Sequence, residues 1–328
     1  MSFQFESFRY NWLQYSDLFD KFASTIDYTM NLDESFFNEL RFDTESLKNY
    51  RIDAARSAHS QLGNNPVLCL SGGIDSQAMI QCWIEAGIKF DVAIGVFDND
   101  LNIQDSDHAK MFCKKFDIEP VIVNLDIVKF LTRENQLYGE KYRCTSPHFN
   151  AQYKIFDILK DMGYTGICTG GNSFAKGIDG WGALPSAAQL NHVEYARLNQ
   201  YPLIGNFLGY DPKLCWTIAL LTPPHLTVWV NQNTTMSQVE YDRRVRYDTK
   251  IMGYKNHGFN IIPQEKKYTG FEFVKAYFEN KYKDGWAFEK KFRHPLEKMY
   301  GTASGNLVLT EEQSQVIERL YNQNGFSS

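Results

Sequence analysis

Residues Asn65 to Gln77, NPVLCLSGGIDSQ, decide how the rest of the chain is read. Val67 to Leu70 is a short apolar run of strand type. Ser71-Gly72-Gly73-Ile74-Asp75-Ser76 follows at once, and the residues from Gln77 read as a helix that stops at Gly87. A buried strand, a tight glycine turn and a helix N-terminus together make an anion site. The unpaired N–H groups of the first helical turn point at the ligand, and the helix dipole favours negative charge. Gly72 and Gly73 let the backbone approach that ligand closely, and Ser71 and Ser76 add hydroxyl donors. Asp75 stands in the first turn, either as a helix cap or as a ligand in its own right. The string is not GxxxxGK[ST] and not GxGxxG, which turns the reading away from kinase-type nucleotide sites and nicotinamide sites.

Outward from this corner the chain alternates between strand and helix. Thr44 to Leu62 reads as a lead-in helix ended by Gly63. Phe90 to Phe97 is a second buried strand, Asp105 to Phe116 a helix and Pro120 to Leu125 a third strand. Such alternation predicts a parallel sheet with right-handed crossovers and helices on both faces. Its ligand belongs beyond the carboxyl ends of the strands, where Ser71–Ser76 and Phe97–Asn99 both fall. Ile127 to Leu137 reads as helix, Tyr138 to Phe149 as an active-site loop, and Ala151 to Met162 as helix. Thr165 to Thr169 is a further strand, which runs into a second glycine turn at Gly170-Gly171-Asn172. Later helices are expected over 186–198, from Pro212, over 236–251, from Phe271 and over 311–322, with a strand at 226–230. Thr310 and Gln313 form a capping-box pattern before the last helix. Three regions follow: an aromatic-rich extension with the lead-in helix (1–62), a core (63–235), and a mainly helical, basic C-terminal region (236–328).

Composition narrows the class. In 328 residues, 43 % hydrophobic and 15 % aromatic content suffices for a sizeable core. The net charge of −5 argues against a general nucleic-acid binder. The charge is uneven, however. Between Tyr241 and Tyr300, 14 Lys and Arg against 8 Asp and Glu leave +6, and −11 for the remainder. That suits either an anionic acceptor or a solvated surface over an acidic neighbour. The six cysteines form no CxxC and several sit in apolar runs, as expected of free thiols in a reducing compartment. The opening residues lack a basic and an apolar leader segment, and no window is apolar enough to span a membrane. The expectation is a cytoplasmic protein. No HxxxH or HExxH occurs, against zinc hydrolysis.

SGGIDS resembles the PP-loop, SGG-x-D-S, of the ATP pyrophosphatase family, which includes asparagine, GMP, NAD and argininosuccinate synthetases. The resemblance is specific over about residues 45–180. It implies a doubly wound parallel α/β sheet of the adenine nucleotide α-hydrolase (HUP) type, with helical N- and C-terminal additions. It implies ATP held at Ser71, Gly72, Gly73, Asp75 and Ser76, with Mg2+ on Asp75. Phe97 and Gly170, with Gly171 beside it, would border adenine and ribose. The nearest likeness is to the synthetase half of asparagine-synthetase-like proteins. There a second glycine loop supplies an acidic metal ligand, where this chain has Asn172; Asp179 is a substitute. A cation should steady the leaving pyrophosphate. Lys176 follows the second glycine turn, and Lys267, Arg293 and Arg143 are rivals.

The implied activity is adenylation of an acceptor carboxylate or carbonyl oxygen, release of pyrophosphate, and C–N bond formation. Ser2 stands where glutamine-hydrolysing relatives carry a nucleophilic cysteine, and about 60 residues is short for a glutaminase. Nitrogen would then come from ammonia, an amine or another chain. The acceptor is a small molecule or a nucleic acid. Two other readings stay open. One is a sulfur transferase or base-modifying enzyme acting on nucleic acid, with Cys144 or Cys168 as the sulfur carrier. The other is an inactive ATP-binding module, which Asn172 supports.

Overall fold

The computed structural model describes residues 12–15, 25–171, 174–177, 180–182, 187–224, 238–265, 270–301 and 304–325. The chain opens with β1 (Leu13–Tyr15), β2 (Thr25–Met30), α1 (Glu34–Glu39) and α2 (Thr44–Leu62). Asp43 starts α2 by accepting the Ser46 N–H (2.9 Å), and Gly63, at φ 85°, ends it. The core follows as β3 (Pro66–Cys69), α3 (Ile74–Glu85), β4 (Asp91–Phe97), α4 (Ile103–Lys115), β5 (Val121–Leu125), α5 (Ile127–Arg133), α6 (Asn135–Tyr142), α7 (Pro147–Asp161) and β6 (Gly166–Thr169). A small hairpin comes next, β7 (Ala175–Gly177) and β8 (Gly180–Gly182), then α8 (Ala187–Asn199), β9 (Leu203–Ile204) and α9 (Pro212–Leu220). The last part holds α10 (Gln238–Asn256), α11 (Glu272–Tyr282), α12 (His294–Tyr300), β10 (Ser304–Val308) and α13 (Glu311–Gln323).

The five-stranded sheet runs β5-β4-β3-β6-β9, and every pairing is parallel. Successive residues along a strand face opposite sides, so the helices on each side take alternate residues. Leu68, Val92, Ile94, Cys168 and Ile204 enter one core with α2, α3, α4, α9 and α10. Val67, Ala93, Val123, Ile167 and Leu203 enter the other with α6, α7 and α8. The expected doubly wound parallel sheet is therefore present. From β3 the chain moves outward through β4 to β5, then returns to the other side of β3 for β6 and β9. The strand order reverses between β3 and β6, and a crevice opens beyond their carboxyl ends.

One stretch differs from expectation. The segment 138–149 is not a loop: α6 runs to Tyr142 and α7 begins at Pro147. Arg143 adopts a left-handed conformation (φ 52°) that stops α6, and Ser146 caps α7 ahead of a proline in its first turn. Ser-Pro is a helix-start signal. The connection shrinks to four residues, and His148 is placed on a helix. The expected strand at 226–230 lies outside the described residues.

The two ends of the chain meet. β10 pairs parallel with β2, which pairs antiparallel with β1. Gln313, at the start of α13, donates to the carbonyls of Met30 and Leu32 (3.2 and 2.7 Å). The Thr310–Gln313 capping box forms as its pattern implies. Trp12, Phe37, Trp216, Trp181 and Tyr321 share the apolar cluster beneath.

A buried polar clamp sets the angle of α10. Arg51 of α2 is 5 % exposed and pairs with both oxygens of Glu85 on α3 (2.7 and 3.1 Å). It also donates to the His257 carbonyl, just past α10. Thr217 of α9 spends its hydroxyl proton on the Lys213 carbonyl (2.7 Å), so it accepts from His257 Nε2 (2.9 Å). That leaves Nδ1 to accept from Arg51 (3.3 Å). Burial, then the Arg51 charge, hold the His257 pKa down at about 3, so the ring is neutral. Three helices and the end of a fourth are thus joined through one guanidinium. Removing one member of such a buried pair strands the others. Arg51→Met is expected to lower stability by about 3 kcal/mol in urea unfolding; a loss under about 1 kcal/mol would show that the clamp does not hold α10.

Candidate functional site

The site begins with the turn between β3 and α3. Gly72 has φ 79°, a conformation that side-chain-bearing residues rarely adopt. A Cβ there would also lie 2.5 Å from the Asp105 carbonyl oxygen of α4. Gly73 precedes α3 with no side-chain cap, so the first-turn N–H groups have no capping oxygen from that residue. Ser76 Oγ donates to the Gly73 carbonyl (2.8 Å) and accepts from Ser71 N–H (3.3 Å), which folds the turn on itself.

The second glycine turn lies directly against the first. A Cβ on Gly170 would fall 2.6 Å from Ser76 N and 2.7 Å from the Asp75 carbonyl carbon. Gly171 is again left-handed, at φ 68°. Thr169 Oγ1 anchors this turn to Gly205 O (2.6 Å), and Gly170 O accepts from Leu208 N–H (3.0 Å). The two turns therefore close the crevice at the point where the strand order reverses.

A cavity of about 600 Å3 opens there, within the range of small-molecule sites. Ser71, Gly73, Asp75, Ser76, Phe97, Gly170 and Gly171 all line it. Gly72 does not, but it shapes the turn. Asn102 holds the end of β4 by accepting Phe97 N–H (2.8 Å) and donating to Gly95 O (2.9 Å). The Phe97 ring meets Phe271 edge-on at 5.6 Å, and His148 packs on Phe271 at 4.9 Å, forming an aromatic wall.

The positive charge comes from α10, a helix that the sequence reading expected, through a lysine that it did not name. α10 carries Arg246, Lys250 and Tyr254 four residues apart, hence on one face. Lys250 Nζ lies 2.6 Å from Asp75 Oδ1 and 2.8 Å from Oδ2. Tyr254 donates its hydroxyl to Oδ1. Burial and the neighbouring Asp75 carboxylate raise the Tyr254 pKa well above its ordinary value, so the phenol keeps its proton. Arg246 lines the cavity, and no described residue pairs with its guanidinium. The charged pattern of 236–251 was visible in the sequence. Its partner 175 residues away was not.

α3 also fixes the segment after α10. Gln77 accepts Ile262 N–H (2.8 Å) and donates to Ile262 O (3.0 Å). Gln81, one turn on, does the same with Asn260 (2.8 and 3.2 Å). Two buried amides thus imitate a strand edge. Gln264 continues the line by donating to Asp105 Oδ1 (3.1 Å).

Two of the cations expected from sequence, Lys176 and Arg293, lie elsewhere. Lys176 pairs with Glu318 of α13 (2.5 Å) and sits over the Tyr321 ring, so it faces the sheet formed by the chain ends. Arg293 is bound to Glu297 (2.6 Å) and Glu289 (3.7 Å) on the outside of α12. Neither lines the cavity. The reason is physical: an acidic neighbour from a distant element claims Lys176, and helical i,i+4 pairing claims Arg293. Lys267, Asn172 and Asp179 lie outside the described residues. Cys144 and Cys168 are fully buried and off the cavity wall, and burial pushes the Cys168 thiol well up. Cys69 does line the cavity, but burial pushes its thiol up to about 12. Neither Cys168 nor Cys69 is therefore a reactive thiolate at neutral pH.

Among the described residues no three His, Cys, Asp or Glu side chains gather as metal ligands. The donors at the turn are the Asp75 carboxylate and two serine hydroxyls, all oxygen. That set fits Mg2+ arriving with phosphate and water ligands, since Mg2+ takes one or two carboxylates at most. No described helix is long and apolar enough to cross a membrane.

No protein-family model matches the chain, and no curated protein matches it in sequence. Among solved structures it is similar to NMN synthetase from Francisella tularensis, at 12 % identity over 86 % of this chain and 94 % of that one, with a TM-score of 0.32. It is similar to the NH3-dependent NAD synthetase from Campylobacter jejuni (13 %, 90 % and 96 %, TM-score 0.28). It is also similar to the U34-tRNA thiolase NcsA from Methanococcus maripaludis (14 %, 77 % and 80 %, TM-score 0.29). Likeness at these TM-scores carries no argument about activity.

Two tests follow from this geometry. Gly170→Ala places a methyl against backbone that no side-chain rotation can relieve, and it should cost about 1–3 kcal/mol in urea unfolding. Stability unchanged within error would mean that the turns are not in contact. The second test uses acid. His192, which lines the cavity, is held by burial at a pKa of about 3, as is His257. In the unfolded chain both take protons near pH 6.5. Stability should therefore be full above that pH and fall toward pH 3, by about 1.4 kcal/mol per pH unit for each histidine. His192→Gln with His257→Gln should flatten the slope measured between pH 7 and 4.5.

Proposed function

We propose that the chain is an ATP-dependent ligase. It joins an acceptor carboxylate or carbonyl oxygen to AMP, releases pyrophosphate, and lets a nitrogen nucleophile displace AMP. The reading deepens the PP-loop resemblance of Ser71–Ser76. The observation that carries it is the contact between two glycine turns at the sheet's reversal point, with Lys250 bound to Asp75 of the first turn and Arg246 lining the same cavity of about 600 Å3. That arrangement suits a polyphosphate better than a neutral ligand.

Charge builds on the leaving pyrophosphate as the acceptor oxygen attacks the α-phosphorus, and fixed donors lower that barrier. The N–H groups of residues 72–76 supply the first donors. Lys250 and Arg246 supply full charges, the role expected earlier of Lys176 and Arg293. Phe97, Gly170 and the aromatic wall of His148 and Phe271 would enclose the nucleoside and exclude water. Asp75 would hold Mg2+, which supplies charge neutralisation between phosphate oxygens. Ammonia or an amine serves as the nitrogen donor, and the acceptor is small enough to enter the cavity beside ATP.

The test is direct. The protein is incubated with ATP, Mg2+, ammonia and a panel of carboxylic acids, and pyrophosphate and AMP are measured. Asp75→Asn and Lys250→Met should each cut pyrophosphate release at least 100-fold, about 2.7 kcal/mol of lost transition-state stabilisation. Lys176→Met and Arg293→Met should stay within about twofold. Release of ADP and inorganic phosphate instead, or equal loss in Lys176→Met, would sink the assignment.

A further inference from the structure

The Asp75 carboxylate, the expected metal ligand, is already occupied. The Lys250 ammonium bridges both of its oxygens at 2.6 and 2.8 Å, and Tyr254 adds a third donor. Lys250 and Asp75 are three-quarters shielded from solvent, which strengthens their attraction over that of a surface pair. We propose that Lys250 is a resident counter-ion. It bars free divalent metal from Asp75 and yields the carboxylate only to metal carried on a polyphosphate. This rests on the ATP reading above and adds the form in which the nucleotide must enter.

The chemistry is a competition between two cations. Free Mg2+ would gain two carboxylates at most here, because no three described His, Cys, Asp or Glu side chains gather. It dehydrates reluctantly for so small a return. The rival ammonium is tethered to α10, so its effective concentration is on the order of millimolar or higher. α10 itself is held by the Arg51–His257 clamp, which keeps the tether short. Free metal at ordinary concentrations therefore loses.

A metal–triphosphate changes both sides of the balance. It brings oxygen ligands with the metal, so less hydration is given up. It also brings negative charge to which Lys250 can turn through its flexible four-carbon stem. Arg246, one helical turn earlier on the same face, stands beside that charge. The ammonium then moves from carboxylate to phosphate and no charge is left buried alone. Metal and nucleotide consequently bind with positive coupling, and each raises the affinity for the other.

Mn2+ is the probe, read by water-proton relaxation, with α,β-methylene-ATP as a nucleotide that cannot react at its α-phosphorus. Wild-type protein should show no binding of Mn2+ alone below millimolar concentration, yet bind Mn2+ tightly once the analogue is present. Lys250→Met should bind Mn2+ alone at least tenfold more tightly than wild type, and Asp75→Asn in the same chain should abolish that gain. Lys250→Arg, which keeps a cation, should restore exclusion. Tyr254→Phe removes one donor while keeping the ring and should give a gain of about threefold, an independent check if Lys250→Met folds poorly. Equal binding of free Mn2+ by wild type and Lys250→Met, with analogue binding intact, overturns the proposal alone. Failure of wild type to bind the analogue, with or without Mn2+, overturns the ATP reading and the proposal with it.

Discussion

Everything at the head of the sheet depends on one missing side chain. Gly170 lets the turn after β6 touch the backbone of Asp75 and Ser76, so the ends of β3 and β6 close into a floor. Parallel pairing of Leu68 with Cys168 and of Cys69 with Thr169 brings the two turns level. Twist and strand order then leave open space above them, as in other open α/β sheets. A methyl at this point would wedge the floor apart, and no shift of a flexible neighbour would accommodate it. The shape of the site, two glycine turns closed into one floor, is thus a packing result before it is an electrostatic one.

The second constraint is the return of the chain. α10 crosses back over the glycine turn and is held at two heights. Lys250 and Tyr254 grip Asp75, and His257 is gripped by Arg51. Tyr247 and Ile251 of the same helix enter the same core as α3. Gln77 and Gln81 then hold the following segment by its own backbone groups. Backbone polar groups away from water need partners, and here two side-chain amides provide them where no strand is available. The C-terminal third is therefore part of the site.

The legible part of the fold was local. The strand–turn–helix corner at 66–85, the alternation through β5 and the capping box at Thr310 arise from patterns among near neighbours, and they stood in the sequence. The segment 138–149 was misread because its polar composition resembles a loop, although Ser146-Pro147 marked a helix start. The seven cavity residues could be named for two reasons: the turn of Ser71, Gly73, Asp75 and Ser76 lies between a strand and a helix, and the family resemblance implied Phe97, Gly170 and Gly171, which spacing alone did not. The cations could not. The i,i+4 spacing of Arg293 and Glu297 was legible and was passed over, but nothing in the spacing of Lys176 records that Glu318 claims it, and nothing near Lys250 points to Asp75. Pairings between residues well over a hundred positions apart are set by topology, and a single sequence carries no local trace of them.

Those long separations bear on how the molecule comes into being. The groove cannot be completed during synthesis until Ile262 has emerged to meet Gln77, 185 residues earlier. The edge of β2 must wait still longer, until Ser304–Val308 has emerged. Closing such wide loops before any reward is collected slows assembly. Until those segments emerge the nascent chain therefore exposes one open edge of β2 and an uncovered glycine turn, each a place where unwanted association can start.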